Sequence, residues 1–307
     1  MQITAANLNA LRVTFSRVFQ QAYDVAENWY TDVASSMPSS GRLNTYGWMQ
    51  ALPHMREWLG ERVVNNLSEV NYILFNKPFE LTYGIKRADL EDDTQTLGIY
   101  QSSFQELGKN AKKHPDKLLA DALASGQNTA CFDGQPYFST SHPVNALDSA
   151  FGTYSNYSAS GMALTAANYT TVRATMMAYK NAGGVRMGIR SNILLVPPSL
   201  ETAARTIVEA ELIPNSAGTA AQSNVLKGTS KVIVAEELED APTAWYLLCT
   251  TRGVRPFIYQ LRRPAEFTML VNLTDPSVFQ RDQYEFGANI RDNVGFSLPF
   301  LAYKAVA

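Results

Sequence analysis

Leu8, Leu11, Phe15, Val18, Phe19, Ala22, Tyr23, Ala26 and Tyr30 recur at three- and four-residue steps. That spacing is one buried stripe of an amphipathic helix, so residues 4–36 are expected to be helical with Thr4 as the N-cap. A Ser/Pro/Gly cluster at 35–44 breaks the pattern. Beyond it Trp48, Met49, Leu52, Met55, Trp58 and Leu59 crowd around Pro53, an aromatic and methionine surface that needs a partner surface. Val70, Tyr72 and Leu74 alternate before Asn76-Lys77-Pro78, and Phe79, Leu81, Tyr83 and Ile85 alternate after it. The alternation predicts a hairpin, running into the acidic stretch ADLEDD, whose carboxylates suit a helix start. Leu97, Tyr100, Phe104, Leu107, Ala111, Leu118, Leu119, Ala122 and Leu123 then predict one long helix, ended at Gly126 and kinked or interrupted at Pro115.

From 126 to 162 the chain is rich in Gly, Ser, Asn and Tyr with weak periodicity, which reads as an extended loop long enough to need a functional reason. Thr165 caps a helix to about Asn181, stopped by Gly183-Gly184. ILLVPP at 193–198 reads as a fully apolar strand, and SLETAARTIVEAEL as a helix opening at Ser199 with a capping-box pattern that lacks only its final Glu. Residues 214–230 read as a loop. The remainder is strand-rich: KVIVAEE, AWYLLCTT, PFIYQLR, EFTMLVN, QYEFGANI and VGFSLPFLAY. Helices early and strands late define the α+β class, and no internal repeat is present.

Charge narrows the function classes. Among 307 residues, 26 basic side chains face 28 acidic ones, a formal net charge of −2, whereas a broad nucleic-acid-gripping face needs excess Lys and Arg. Cys131 and Cys249 are far apart and form no disulfide framework or zinc-ligand spacing, which points to a reducing compartment. The N-terminus lacks a signal-peptide pattern and no window approaches a bilayer-spanning length, so a soluble, unexported protein is expected. Charged residues make up 18% of the chain against about 25% in ordinary domains, which suggests that partners cover much of the surface.

No catalytic constellation stands out. His54, His114 and His142 lack metal spacing. Ser139-Thr140-Ser141-His142 places a hydroxyl beside an imidazole, yet sequence neighbours rarely face each other, and a structural loop is the better reading than a hydrolase using Ser141 and His142. Glu91, Asp92 and Asp93 lack EF-hand spacing and read as a solvated helix start. Gly183-Gly184-Val185-Arg186-Met187-Gly188 follows a helix and precedes a strand, the reverse of a dinucleotide-binding turn. Arg252, Arg255, Arg262 and Arg263 are read as inter-subunit carboxylate partners in preference to phosphate contacts. No enzyme, cofactor or metal is expected. The early elements look poorly suited to burial in their own globule and read as arms made for neighbours.

At PHMREWLGERVVNNL (53–67), NKPFELTYGIKRADLEDD (76–93) and KHPDKLLADALASGQNTACFDGQPYFSTSHP (113–143) the sequence closely resembles the Mu-like major head subunit family of tailed bacteriophages and prophages. RDQYEFGANIRDNVGFSLPFLAYK (281–304) is similar to the closing strands of such subunits. The resemblance implies the Hong Kong 97-type capsid fold: an N-terminal arm at 1–58, an extended-loop hairpin at 59–86, and a peripheral domain with a spine helix at 87–185. An axial domain would follow at 186–275, with the closing strands of the peripheral domain at 276–307. It further implies a virion subunit, made in the bacterial host cytoplasm, that assembles with itself into pentamers and hexamers of an icosahedral shell. A separate scaffolding protein, a portal, and weak, non-specific contact with packaged double-stranded DNA complete the partners; no membrane is involved. Trp48, Met55 and Trp58 are expected to anchor the arm on an adjacent subunit, with Arg56, Glu57, Glu61 and Arg62 supplying rim pairs. A cargo-enclosing compartment shell of the same fold is the alternative from another class, and the serine hydrolase is a third.

Overall fold

The computed structural model describes residues 5–49, 69–92, 97–145, 149–181, 183–214, 221–272 and 275–307. In chain order the main elements are helix α1 (Ala5–Val25), strands β1 (Ala34–Pro38), β2 (Leu43–Met49), β3 (Glu69–Phe75) and β4 (Lys77–Lys86), and helix α2 (Leu97–Ser125). Helix α3 (Ala166–Ala178), β5 (Ile193–Val196), α4 (Glu201–Val208), β6 (Lys231–Val234), β7 (Ala244–Leu248), β8 (Phe257–Leu270), β9 (Gln283–Phe296) and β10 (Ala302–Val306) follow. Among the described residues no helix is long and apolar enough to cross a membrane.

The first sheet has the order β1-β8-β9-β4. Strand β1 runs parallel to β8 with Ala34 opposite Phe257, and the other pairs are antiparallel. PFIYQLR and EFTMLVN fuse into the single strand β8. Its register shifts between Leu261 and Arg263 and again between Arg263 and Glu266. Pro264 falls in that gap, where its missing N–H is tolerated by a bulge. QYEFGANI and VGF likewise form one strand, β9.

The N-terminal stripe is spent inside the chain, contrary to the expectation of a free arm. Leu8, Leu11, Phe15, Val18 and Phe19 of α1 are buried with Phe104 and Leu107 of α2 and Tyr284 and Phe286 of β9. The Phe15 and Phe104 rings lie 4.2 Å apart, and those of Phe104 and Phe286 5.1 Å apart in an edge-on arrangement. Helix α1 stops at Val25, well short of residue 36, because a short helical turn (Tyr30–Val33) and β1 take over and bury Val33 and Ala34 in the central core. Helix α2 passes through Pro115 without interruption.

The second sheet has the order β6-β5-β7-β10, completed by the short strand Tyr157–Ser158. Helices α3 and α4 cover one face, where Tyr169, Val172, Met176, Ile207 and Val208 pack on Leu194, Val196, Trp245 and Leu247. The opposite face, with Ile193, Leu195, Tyr246 and Leu248, joins Phe257, Phe296, Tyr137, Phe138, Leu119 and Leu123. Burial on both faces accounts for the unbroken apolar runs of β5 and β7. As expected, Thr165 caps α3, its side chain accepting the Asn168 N–H. Helix α4 has no side-chain cap at its start; the Ser199 hydroxyl instead donates to the Pro242 carbonyl at 2.9 Å, so the capping-box reading fails. Sheet membership crosses the boundaries drawn at 185 and 275, since β8 lies in the first sheet and the terminal strand β10 in the second.

The hairpin expected between 70–74 and 79–85 also does not form. Strand β3 pairs with β2 and β4 with β9. One residue, Asn76, separates β3 from β4, fewer than the two that the tightest hairpin turn requires.

Candidate functional site

The functional feature the fold presents is the two-stranded ribbon of β2 and β3. Register places Asn44 opposite Leu74 and Tyr46 opposite Tyr72 on one face, and Leu43 opposite Phe75 and Thr45 opposite Ile73 on the other. The first face is fastened to the subunit. Leu74 is buried against Ile258, and the Tyr46 hydroxyl donates to Gln260 Oε1 at 2.8 Å. Gln260, itself fully buried, donates from Nε2 to Asn76 Oδ1 at 2.7 Å and to the Leu74 carbonyl at 3.2 Å. Asn76 passes the network on, donating to Ser39 Oγ at 2.7 Å and to the Gly41 carbonyl at 2.9 Å. A side chain at Gly295 would come within 2.9 Å of Leu74, so the ribbon rests on bare backbone there.

Among the described residues the second face has no such cover. Ile73, Phe75 and Leu43 are 52%, 48% and 38% exposed, three large apolar groups on one side of the ribbon. Neighbouring exposed apolar groups are the kind of surface that partners cover. Of the residues expected to anchor it, Met55, Arg56, Glu57, Trp58, Glu61 and Arg62 lie outside the described residues. Trp48 stands on β2 with its backbone opposite Val70. Sequence reasoning missed Gln260 and Asn76. Their available signal was a glutamine on an otherwise apolar stretch of β8 and an asparagine separating two alternating runs.

Within one subunit the four arginines reach mainly backbone carbonyls. Arg255 Nη1 donates to the Ala34 carbonyl at 3.3 Å and Arg262 Nη1 to the Ser39 carbonyl at 3.2 Å. Arg252 reaches the Met187 carbonyl, and Arg263 lies 3.8 Å from Glu266. Three of the four therefore bind carbonyls of their own chain. Gly184 adopts a positive φ of 74° in a tight turn where the Gly184 N–H donates to the Asn181 carbonyl. Helix α3 ends earlier, at Ala178. The acidic stretch begins the short helix Arg87–Asp92, and Asp93 lies outside the described residues.

The Ser141-His142 pair is not a nucleophile and its base. His142 is completely buried, with Nδ1 2.7 Å from Asp133 Oδ2 and Nε2 3.1 Å from the Tyr137 carbonyl, so both ring nitrogens are taken. Ser141 is exposed, and its N–H donates to Ser139 Oγ at 3.2 Å. Asp133 also accepts from the Cys131 thiol at 3.0 Å and from the Gln135 N–H at 3.0 Å. Burial by itself would raise the Asp133 carboxyl, but the hydrogen bonds from His142 and Cys131 outweigh it and hold the group below the usual carboxylate range. Burial and the adjacent Asp133 charge push the Cys131 thiol up. The loop is thus an ordered brace, further tied by Asn156, which donates to the Tyr137 carbonyl at 2.8 Å and the Pro299 carbonyl at 3.0 Å.

A long helix on a sheet of very long strands, a second helix-covered sheet and a two-stranded ribbon define a shell subunit of the Hong Kong 97-type tailed-phage capsid fold. The chain is similar to the procapsid protein of bacteriophage JBD30, at TM-score 0.59 and 30% identity over 99% of this chain and 76% of that one. Among relatives it is 29% identical to the major capsid protein of Escherichia phage Mu, over 96% of this chain and 72% of the relative. It is 27% identical to the Mu-like prophage FluMu major head subunit of Haemophilus influenzae, over 98% and 73%. The family described as Mu-like prophage major head subunit gpT matches residues 8–163, 157–238 and 234–307, and the chain belongs to it. It is a structural head protein, the major capsid subunit of a Mu-like phage or prophage.

Proposed function

We propose that copies of this chain close into pentamers and hexamers of an icosahedral shell around double-stranded DNA, with a separate scaffolding protein and a portal, in the cytoplasm of a bacterial host. The observation that carries this reading is the ribbon, pinned to its own subunit on one face and apolar on the other. Heterologous contacts of that kind close into rings when repeated by rotation, and obligate interfaces bury on the order of 2,000 Å² or more. The near-balance of charge suits an inner wall that contacts phosphate weakly. In this reading the first sheet with α1 and α2 is the peripheral domain. The second sheet with α3 and α4, including the terminal strand β10, is the axial domain, and the extended loop is the ribbon with the residues between its strands.

Trp48, Met55 and Trp58 then anchor the arm on an adjacent subunit, and Arg56, Glu57, Glu61 and Arg62 supply its rim pairs. Trp58→Ala tests this: particle yield is expected to fall while the subunit still folds by circular dichroism, and normal yield would remove Trp58 from the interface.

A further inference from the structure

Cys131, Asp133 and His142 converge, their candidate ligand atoms all lying within 4.8 Å of one another. Their local geometry is set by the turn at Gly134, whose φ of 80° lets the Gly134 N–H reach the Cys131 carbonyl at 3.2 Å and the Cys131 N–H reach the Gln135 carbonyl at 2.8 Å. That turn folds the Asp133 carboxylate back between the thiol and the imidazole. The Tyr137 carbonyl can only accept, so His142 Nε2 carries a proton and donates it there. Nδ1 therefore faces Asp133 Oδ2 across 2.7 Å. Two such ligand atoms this close in a buried site can share a proton or a metal ion.

We propose that Cys131, Asp133 and His142 form a binding site for a thiophilic divalent cation, with zinc the best match, that clips the 131–142 loop closed. The donor set is sulfur, imidazole nitrogen and carboxylate oxygen, the three kinds that zinc accepts. The outer arrangement is that of a metal-ligating histidine, whose second ring N–H is held by a backbone carbonyl so that the tautomer is fixed. Zinc bonds of about 2.0 to 2.3 Å put ligands roughly 3 to 4 Å apart, and one ligand atom from each of the three residues lies within 4.8 Å of the other two. A fourth donor would come from solvent. Gly134, between the ligands in sequence, is exposed.

The exchange balances. In the proton-bound form a neutral thiol, a carboxylate and an imidazolium sum to zero. In the zinc-bound form the thiolate, carboxylate, neutral imidazole and Zn²⁺ also sum to zero, and two protons leave to solvent. The buried charge is unchanged, so the usual penalty for an unpaired buried charge does not oppose binding. Sequence inspection passes over this site because its ligands, Cys-x-Asp and a histidine nine residues on, match no CxxC or HExxH pattern.

The test uses the full chain without a histidine tag, incubated with zinc sulfate, freed of excess metal by gel filtration and measured by inductively coupled plasma mass spectrometry. The expected result is about one zinc ion per chain. Cobalt(II) in its place is expected to give a thiolate-to-cobalt charge-transfer band and tetrahedral visible absorption. Cys131→Ala leaves the Asp133–His142 contact in place, and it is expected to lose both signals while keeping the wild-type circular dichroism. Zinc that stays no higher than in Cys131→Ala, with no cobalt–thiolate band, would overturn the proposal and leave the pair as a proton-bound brace. Should Cys131→Ala fail to fold, Cys131→Ser takes its place, and its cobalt spectrum is read against wild type because Cys249 is a second free thiol.

Discussion

Asp116, in the middle of helix α2, accepts the backbone N–H of Tyr30 at 2.8 Å through its Oδ1. The same oxygen accepts the Trp29 N–H at 3.1 Å, so one carboxyl on the long helix caps the turn that redirects the chain from α1 into β1. Burial outweighs these hydrogen bonds and pushes the Asp116 carboxyl up from 3.8 to about 7. Glu237, which accepts from Trp29 Nε1 at 3.2 Å, raises it further, while Lys113 opposes the rise.

A raised carboxyl means that the folded chain binds this proton more tightly than the unfolded one. Its stabilisation is complete below about pH 4 and is lost as pH rises through about 7. Asp116→Asn keeps the accepting oxygen and removes the charge. The variant should be more stable than wild type at about pH 8, with the advantage shrinking toward about pH 5. Urea unfolding of free subunits at the two pH values measures it, and an equal loss of stability at both would contradict the assignment.

Gly108 lies where α1 and α2 cross, and a Cβ there would meet the Phe19 carbonyl oxygen and the Ala22 Cβ at 3.0 Å. Gly108→Ala gains about 1 kcal/mol of helix propensity. Forcing backbone apart costs more, so a net loss of about 1–3 kcal/mol is expected in chemical denaturation. A gain in stability would mean that the helices pack less closely than described.

On the ribbon, Ile73→Ser with Phe75→Ser changes only the exposed face and leaves Leu74, Tyr46 and the Gln260 network untouched. The double variant should fold with unfolding free energy within about 1 kcal/mol of wild type and yet fail to assemble. Light scattering of assembly reactions beside thermal unfolding separates the two effects. A large loss of stability with assembly intact would assign the face to the subunit interior.

Much of the architecture was legible in the residues where period and burial agree. The stripe Leu8 to Phe19 gave α1, Thr165 marked the start of α3, and the unbroken apolar runs of β5 and β7 marked strands buried on both sides. Pairing was not legible. Alternation around Asn76 identifies two strands but not their partners, which lie far along the chain in β2 and β9. Pro115 is expected to kink or interrupt α2 because the lost hydrogen bond is a local cost, yet the helix continues through it, packed against α1, β8 and β9. The early helix looked like an arm because its apolar stripe has no partner nearby in sequence; the partners are Phe104 and Phe286. The Asp133–His142 contact joins residues nine apart across a loop, where neither helical nor strand periodicity carries information.

The central claim is that this chain is built to assemble with copies of itself. Electron microscopy of the purified chain tests it most directly. Uniform closed particles, tubes or hexameric rings are expected, and a monodisperse monomer under every condition would contradict it.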